Sequence, residues 1–261
     1  MRGRDRGRRA LDELELLVDL HLDGRRQGPG SDAATRQAIS LAGLEPDPSL
    51  RIVDIGCGTG AASLLLARAL EAPVVAVDLL APFLAKLAQH ARAAGLARRI
   101  APVAASMEAL PFADAAFDVV WSEGAVYNMG FAQGVASWRR LLQPGGILAV
   151  SELTWLTAER PAELRAYWDE AYPEVDTASA KLGVLERHGY TPIGYFALPP
   201  SCWLDTYYRP LQQRFSAFLE RHRGEEVAEQ IVASEKAEID LYERHQAQVS
   251  YGFYIARRLA D

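Results

Sequence analysis

The run Val53-Asp54-Ile55-Gly56-Cys57-Gly58-Thr59-Gly60 sets a carboxylate and three alternating glycines between an apolar strand pattern, Leu50 to Val53, and a helical stretch from Ala61 to Leu70. Glycines at such a junction let the backbone turn tightly at the carboxyl edge of a sheet and approach a ligand that any Cβ would exclude. Read as G-x-G-x-x-G/A, residues Gly56, Gly58 and Ala61 form a dinucleotide fingerprint, with Asp78 placed about 20 residues further on for a ribose. That reading leaves Asp54 without a purpose, although a carboxylate near the end of a buried strand is costly unless something satisfies it. Read as D-x-G-x-G-x-G, the same run uses Asp54, Gly56, Gly58 and Gly60 together, more than a simple turn demands.

Other chemistry-bearing residues fall near the same sheet edge. Glu123 ends the apolar run Phe117 to Ser122, where it could bind, orient or deprotonate a ligand, or instead cap a turn or pair with an arginine. Tyr127 and Asn128 follow it and can hydrogen-bond an acceptor or merely fix their loop. Gln27, Gly28, Gly30 and Ser31 form a second glycine-bearing turn before a helix that Ser31 caps; its N–H groups could bind a carboxylate, or it is a plain helix-to-helix turn. His21, placed on the polar side of a helical segment over 11–22, lies near that turn and is a candidate base. Trp203, Tyr207 and Tyr208 could line an acceptor pocket or cage a cationic amine, against the plainer reading of packing in a lid. Neither the five histidines nor the two cysteines have metal-ligand spacing, so no metal is expected.

The elements that position these residues alternate. Strand patterns at 51–55, 74–78, 100–103, 117–122, 146–152, 191–197 and 251–257 are separated by helical ones at 61–71, 82–94, 131–142, 160–171 and 177–188. Apolar strands separated by amphipathic helices predict an α/β fold, a Rossmann-like doubly wound sheet of seven mostly parallel strands. Of the 23 aromatic residues, 16 lie in the last 111 positions, which together with two helical patterns between Tyr207 and Gln248 predicts a helical lid inserted at about 199–249. The expected organisation is a disordered basic tail at 1–9, an N-terminal helical cover at 10–49 and a ligand-binding domain at 50–261.

A net charge of −6 argues against nucleic acid as the main partner, since phosphate neutralisation needs a basic face. The tail MRGRDRGRR has five arginines and no apolar run, and no apolar stretch approaches the length of a membrane span, so no membrane partner is expected. Two distant cysteines give no disulfide framework, and a cytoplasmic setting is the expectation. The aromatic lid is compatible with a homodimer.

Five motifs occur in order: VDIGCGTG, AVDL, ASMEALPF, FDVVWSEGA and LLQPGGILAVSE. Together they resemble the class I S-adenosylmethionine (SAM)-dependent methyltransferases over roughly residues 27–155, and RQGPGS, SEGAVYNMGF and SCWLDTYYRPL are similar to a bacterial, type 11-like small-molecule subgroup. The resemblance implies SAM as cofactor, held by Gln27, Gly28, Gly30, Ser31, Asp54, Gly56, Cys57, Gly58, Gly60, Asp78, Leu79, Ser106, Met107 and Glu123. In it Asp78 takes the ribose hydroxyls, Leu79 and Met107 cover the adenine, and Ser106 stands where relatives often have Asp. The implied activity is methyl transfer to the N or O of a small molecule by in-line displacement. Glu123, Tyr127 and His21 are then candidate catalytic groups, and Tyr127, Asn128, Trp203, Tyr207 and Tyr208 candidate acceptor contacts. An NAD(P)-dependent oxidoreductase and a non-catalytic SAM-binding protein are the rival readings.

Overall fold

The computed structural model describes residues 13–260; the tail expected at 1–9 and the first positions of the helical pattern expected over 11–22 lie outside them. Among the described residues ten α-helices and eight strands follow one another as α1 (13–21), α2 (Asp32–Leu41), β1 (Ile52–Ile55), α3 (Ala61–Ala69), β2 (Val74–Asp78), α4 (Ala81–Ala93), β3 (Ile100–Ala104), β4 (Phe117–Glu123), α5 (Phe131–Trp138), β5 (Leu142–Trp155), α6 (Ala162–Ala171), β6 (Asp176–Thr177), α7 (Ala178–Arg187), β7 (Tyr190–Ala197), α8 (Ser201–Trp203), α9 (Arg209–Arg221), α10 (Glu226–His245) and β8 (Val249–Arg258). The main sheet has the order β3-β2-β1-β4-β5-β8-β7, with β8 antiparallel to both neighbours, and the two-residue β6 pairs with the end of β5. The Rossmann-like, mostly parallel sheet expected from the strand spacing is therefore present. β6 is an addition that no two-residue pattern could announce, and β5 runs on to Trp155 because β8 pairs with it along nine residues.

Alternation on β1 shows how the sheet is buried on both faces. Ile52 packs with α2, α3 and α4, while Val53 and Ile55 pack with α5 and α7. Asp54 thus faces the α2–α3 side among apolar neighbours, and so does Trp121 on β4. The switch point of the strand order lies between β1 and β4, and their carboxyl ends open a crevice there.

Ser31 is the N-cap of α2, as its position predicts: its backbone is extended and its hydroxyl accepts the Ala34 N–H. A different local device shapes the region between β7 and β8. After α8 the chain makes one π-helical segment, Leu204–Tyr208, before α9. Such a turn rotates successive side chains away from simple helical spacing, and Tyr207 reaches a cavity while Tyr208 is fully buried.

Candidate active site

The glycine loop is held by its own neighbours before any ligand is considered. The N–H groups of Gly56 and Cys57 both donate to the Val77 carbonyl, and the Gly58 N–H donates to Asp78 Oδ2 at 2.8 Å. Gly58 (φ +53) could carry no Cβ, which would sit 2.2 Å from Gln27 Oε1; at Gly60 (φ +93) a Cβ would lie 2.0 Å from Leu87 Cδ1. The first glycine admits a clamp from the N-terminal turn and the second admits close packing of α4 on the loop.

One cavity of about 790 Å³ begins at this loop and continues under α1, α6 and α10. Its donor-side wall includes Asp54, Gly56, Cys57, Gly58, Asp78 and Leu79. Asp54 is 1% exposed and its one hydrogen bond is from Ser63 Oγ at 2.5 Å; burial pushes its carboxyl up to about 7, with the charge of Glu123 adding to the shift. Asp78 is half-buried, and burial raises its pKa against the pull of the Leu80 and Gly58 N–H groups. Leu79 presents an apolar side chain that is 67% exposed at the cavity rim. Met107 and Ser106 line the opposite rim; the Met107 carbonyl accepts from Trp138 Nε1, and the Ser106 hydroxyl accepts the Glu108 N–H.

Several candidate residues are placed differently from their expectation. Glu123 is ion-paired with Arg26, whose Nη1 lies 2.6 Å from Oε2, while Oε1 accepts from Thr35 Oγ1 and Trp121 Nε1. Three donors, from the turn before α2, from α2 and from β4, therefore fix this carboxylate as a wall of the site, which leaves it badly placed to act as a base. Arg26, 8% exposed, escapes sequence reading because it sits in an arginine-rich segment that looks solvated. Gln27 spends its amide on the glycine loop: Oε1 accepts the Thr59 N–H and Nε2 donates to Gly24 O and Thr59 Oγ1. Gly28 borders the cavity, but Gly30 and Ser31 do not. Gly30 donates its N–H to Cys202 O and accepts from Thr206 Oγ1, and Ser31 is occupied as the cap of α2. Asn128 borders the cavity, as expected of an acceptor contact, and its amide also donates to Ala125 O within its own loop.

Beyond Glu123 the cavity widens into an aromatic chamber. Tyr127 stands at its mouth, 6.1 Å from the Tyr172 ring in an edge-on arrangement. Trp203, stacked on Tyr242 at 4.4 Å and donating its indole N–H to Ser250 Oγ, shares the chamber wall with Tyr207, Tyr251 and Trp168. Tyr208 belongs instead to the core, where its hydroxyl donates to Glu238 Oε1; the π turn takes it out of the set of acceptor contacts.

His21 is not on a polar face. It is 9% exposed and points into the chamber, because α1 is covered on both sides: Leu16 and Leu20 pack in the core while Leu14, Leu17 and Val18 border the cavity. Nδ1 faces the Leu17 carbonyl at 3.0 Å, which can only accept, so Nδ1 carries the proton and Nε2 is left as an acceptor for Tyr207 OH at 3.3 Å. Burial lowers the His21 pKa, so the ring is neutral near pH 7. Glu235 Oε1 lies 4.0 Å from Nε2; its carboxyl is pushed up to about 7 by burial and by Glu238. Glu238 takes hydroxyls from Tyr167 and Tyr208 at 2.7 and 2.9 Å. Glu235 and Glu238 were missed by sequence reading, since in EKAEIDLYERH they look like a solvated helix face. Among the described residues no group of side chains has the make-up of a metal site, and no helix is long and apolar enough to cross a membrane.

Comparison with known proteins finds methyltransferases in sequence and their fold in structure. A family profile described as a methyltransferase domain matches residues 52–146, the stretch from β1 into β5. Dimethylglycine N-methyltransferase of Parasynechococcus marenigrum is 37% identical over 126 residues, covering 47% of this chain and 44% of its own length. The malonyl-acyl-carrier protein O-methyltransferase of Erwinia pyrifoliae is 36% identical over 162 residues and covers 58% of each chain. The chain thus spans about half the length of these curated relatives. Among solved structures, a SAM-dependent methyltransferase from Geobacter sulfurreducens in complex with S-adenosylhomocysteine superposes with a TM-score of 0.81 at 20% identity, covering 93% of this chain and 97% of that one. The profile match shows a methyltransferase domain over residues 52–146, and the likeness to the Geobacter structure extends the shared fold over 93% of the chain.

Proposed function

We propose that this protein transfers the methyl group of SAM to a small-molecule nucleophile by in-line displacement. The observation that carries the reading is one continuous cavity that joins the glycine loop to the aromatic chamber, so that donor and acceptor would share one space. The donor side fits SAM on its own chemistry. Asp54 and Asp78 are partly satisfied carboxylates facing the cavity, the glycines allow close backbone approach, and Leu79 offers exposed apolar surface suited to an adenine. Bound SAM would supply a methyl group already activated by its sulfonium.

The protein's own contribution is then placement and desolvation. Gln27 ties the N-terminal turn to Thr59 and keeps the loop closed against α1, and the Arg26–Glu123 pair fixes the floor between donor side and chamber. His21 is the group best suited to take a proton: a neutral ring, a lone pair on Nε2, and a Tyr207 hydroxyl that relays toward the chamber. Tyr127 and Tyr207 are the acceptor contacts we favour, with Trp203 forming one wall. The relatives named above include both N- and O-methyltransferases, which supports a small nucleophile and leaves either atom open.

Tryptophan fluorescence titration with SAM, S-adenosylhomocysteine and NAD(P)H tests the reading, followed by turnover of methyl-labelled SAM with a metabolite extract. Saturable binding of the first two ligands and labelled product are expected. Selective binding of NAD(P)H, or tight SAM binding with no transfer to any acceptor, would refute it.

A further inference from the structure

The charge of the cavity narrows the acceptor. Among the described residues seven carboxylates border it and one lysine or arginine does; that one, Arg26, is already paired with Glu123. Four of the acids, Asp54, Asp78, Glu108 and Glu123, belong to the donor side. The remaining three, Glu152, Glu235 and Glu238, surround the aromatic chamber; Glu238 accepts the Tyr167 and Tyr208 hydroxyls, and the other two are poorly provided with partners. Glu235 has no hydrogen bond among the described residues, its nearest cation-capable atom being His21 Nε2 at 4.0 Å. Glu152 is 1% exposed; Oε1 accepts the Leu153 N–H, and Oε2 is buried with no hydrogen-bond partner at all. The Trp168 indole N–H and the Tyr172 hydroxyl, both on the cavity wall, also lack partners.

A buried carboxylate without a partner is a cost that a fold carries only where something else repays it. At Glu235 the missing element is positive charge. Lys181 lies over the Phe131 and Tyr172 rings and donates to the Glu174 carbonyl; its charge offsets part of the burial of Glu152, but it does not border the cavity and leaves Glu235 without a cation. The aromatic faces of Tyr127, Trp203, Tyr207 and Tyr251 complete an environment in which a cation is attracted by both ring quadrupoles and carboxylates. An acceptor bearing a carboxylate or phosphate would meet these acids with, among the described residues, no unpaired arginine or lysine on the cavity wall and no charged histidine to receive it.

We propose that the acceptor is a small cationic amine without an acidic group, its ammonium held in the aromatic chamber between Glu235 and Glu238; this rests on the methyl-transfer reading above. A protonated amine gives one proton to the Glu235 carboxylate or to His21 Nε2, which frees the nitrogen lone pair. That lone pair forms the new N–C bond as the carbon–sulfur bond breaks with its electron pair on sulfur, and the products are the methylated ammonium, S-adenosylhomocysteine and the released proton.

The test is made on the full chain saturated with S-adenosylhomocysteine, with choline as a non-reactive cationic probe and 3,3-dimethylbutan-1-ol as its neutral isostere. Binding is read by calorimetry and by the fluorescence of Trp168 and Trp203. Choline is expected to bind at least tenfold more tightly than the alcohol, and Glu235→Gln with Glu238→Gln to remove that preference while affinity for S-adenosylhomocysteine stays within twofold. Should the double variant lose S-adenosylhomocysteine binding through misfolding, the wild-type comparison and the single Glu235→Gln variant decide the matter. Choline binding no tighter than the alcohol, or a preference unchanged in variants that still bind S-adenosylhomocysteine, overturns the amine assignment alone. Failure of the wild-type chain to bind S-adenosylhomocysteine overturns the methyl-transfer reading and this one with it.

Discussion

Replacing Glu235 by Gln keeps the shape of the side chain and removes its charge, and the structure fixes both the sign and the size of the effect on stability. In the folded chain burial, aided by the charge of Glu238, pushes the Glu235 carboxyl from 4.5 up to about 7. A folded-state pKa above the unfolded one means that the native state holds the proton more tightly. The contribution is therefore fully present below about pH 4.5 and is lost as pH rises through 7. Two and a half pKa units at about 1.4 kcal/mol each correspond to roughly 3 kcal/mol, most of which develops between pH 5 and 8. Wild-type and Glu235→Gln chains should be of similar stability at pH 5, and the variant should be more stable by about 2–3 kcal/mol at pH 8. Urea denaturation followed by tryptophan fluorescence at pH 5, 6, 7 and 8 measures the two slopes. Parallel slopes, or a variant less stable than wild type at pH 8, would refute the claim that Glu235 is buried without a compensating charge.

Other perturbations probe the remaining parts of the site. Asp78→Ala removes two anchors of the loop and the candidate ribose contact, so affinity for S-adenosylhomocysteine should fall about 10- to 100-fold by calorimetry; a loss below threefold would contradict the role. Gly60→Ala adds a methyl group 2.0 Å from Leu87 at φ +93, and a thermal melt should show a cost of about 2–4 kcal/mol. Arg26→Met strands the Glu123 charge and should cost about 3–5 kcal/mol in urea, much of it recovered in the double variant with Glu123→Gln; additive losses would show that the pair is not coupled. His21→Gln should lower kcat about 100-fold with KM for SAM unchanged. Because burial lowers the His21 pKa, wild-type activity should persist below pH 6.5 before it declines on the acid side.

The donor half of the site was legible because its information is local. Asp54, the glycines and Asp78 lie within 25 residues, and the parallel pairing of β1 with β2 brings the ends of the two strands together whatever the rest of the chain does. The N-cap at Ser31 is likewise written in three residues of its own turn. What could not be read is which face of a helix becomes buried when both faces carry polar residues. α10 has glutamates at 235 and 238 that look solvated until Trp203, Tyr207 and α1 close over them. His21 was assigned to a polar face for the same reason, and Tyr208 to the pocket because helical spacing does not announce a π turn.

The same contrast says how the two halves of the cavity can change independently. His21 and Tyr207 are 186 residues apart in the chain, and the chamber they border is assembled from α1, the loop after β4, α6 and the segment between β7 and β8. None of these contributes a rung to the pairing of β1 with β2 that holds Asp54 and Asp78. A substitution at Glu235 or Tyr207 can therefore recast the acceptor without moving the glycine loop, whereas Gln27 and Arg26 touch both sides, through Thr59 and Glu123 respectively. Acceptor affinity and S-adenosylhomocysteine affinity should separate in variants of the first pair and fall together in variants of the second.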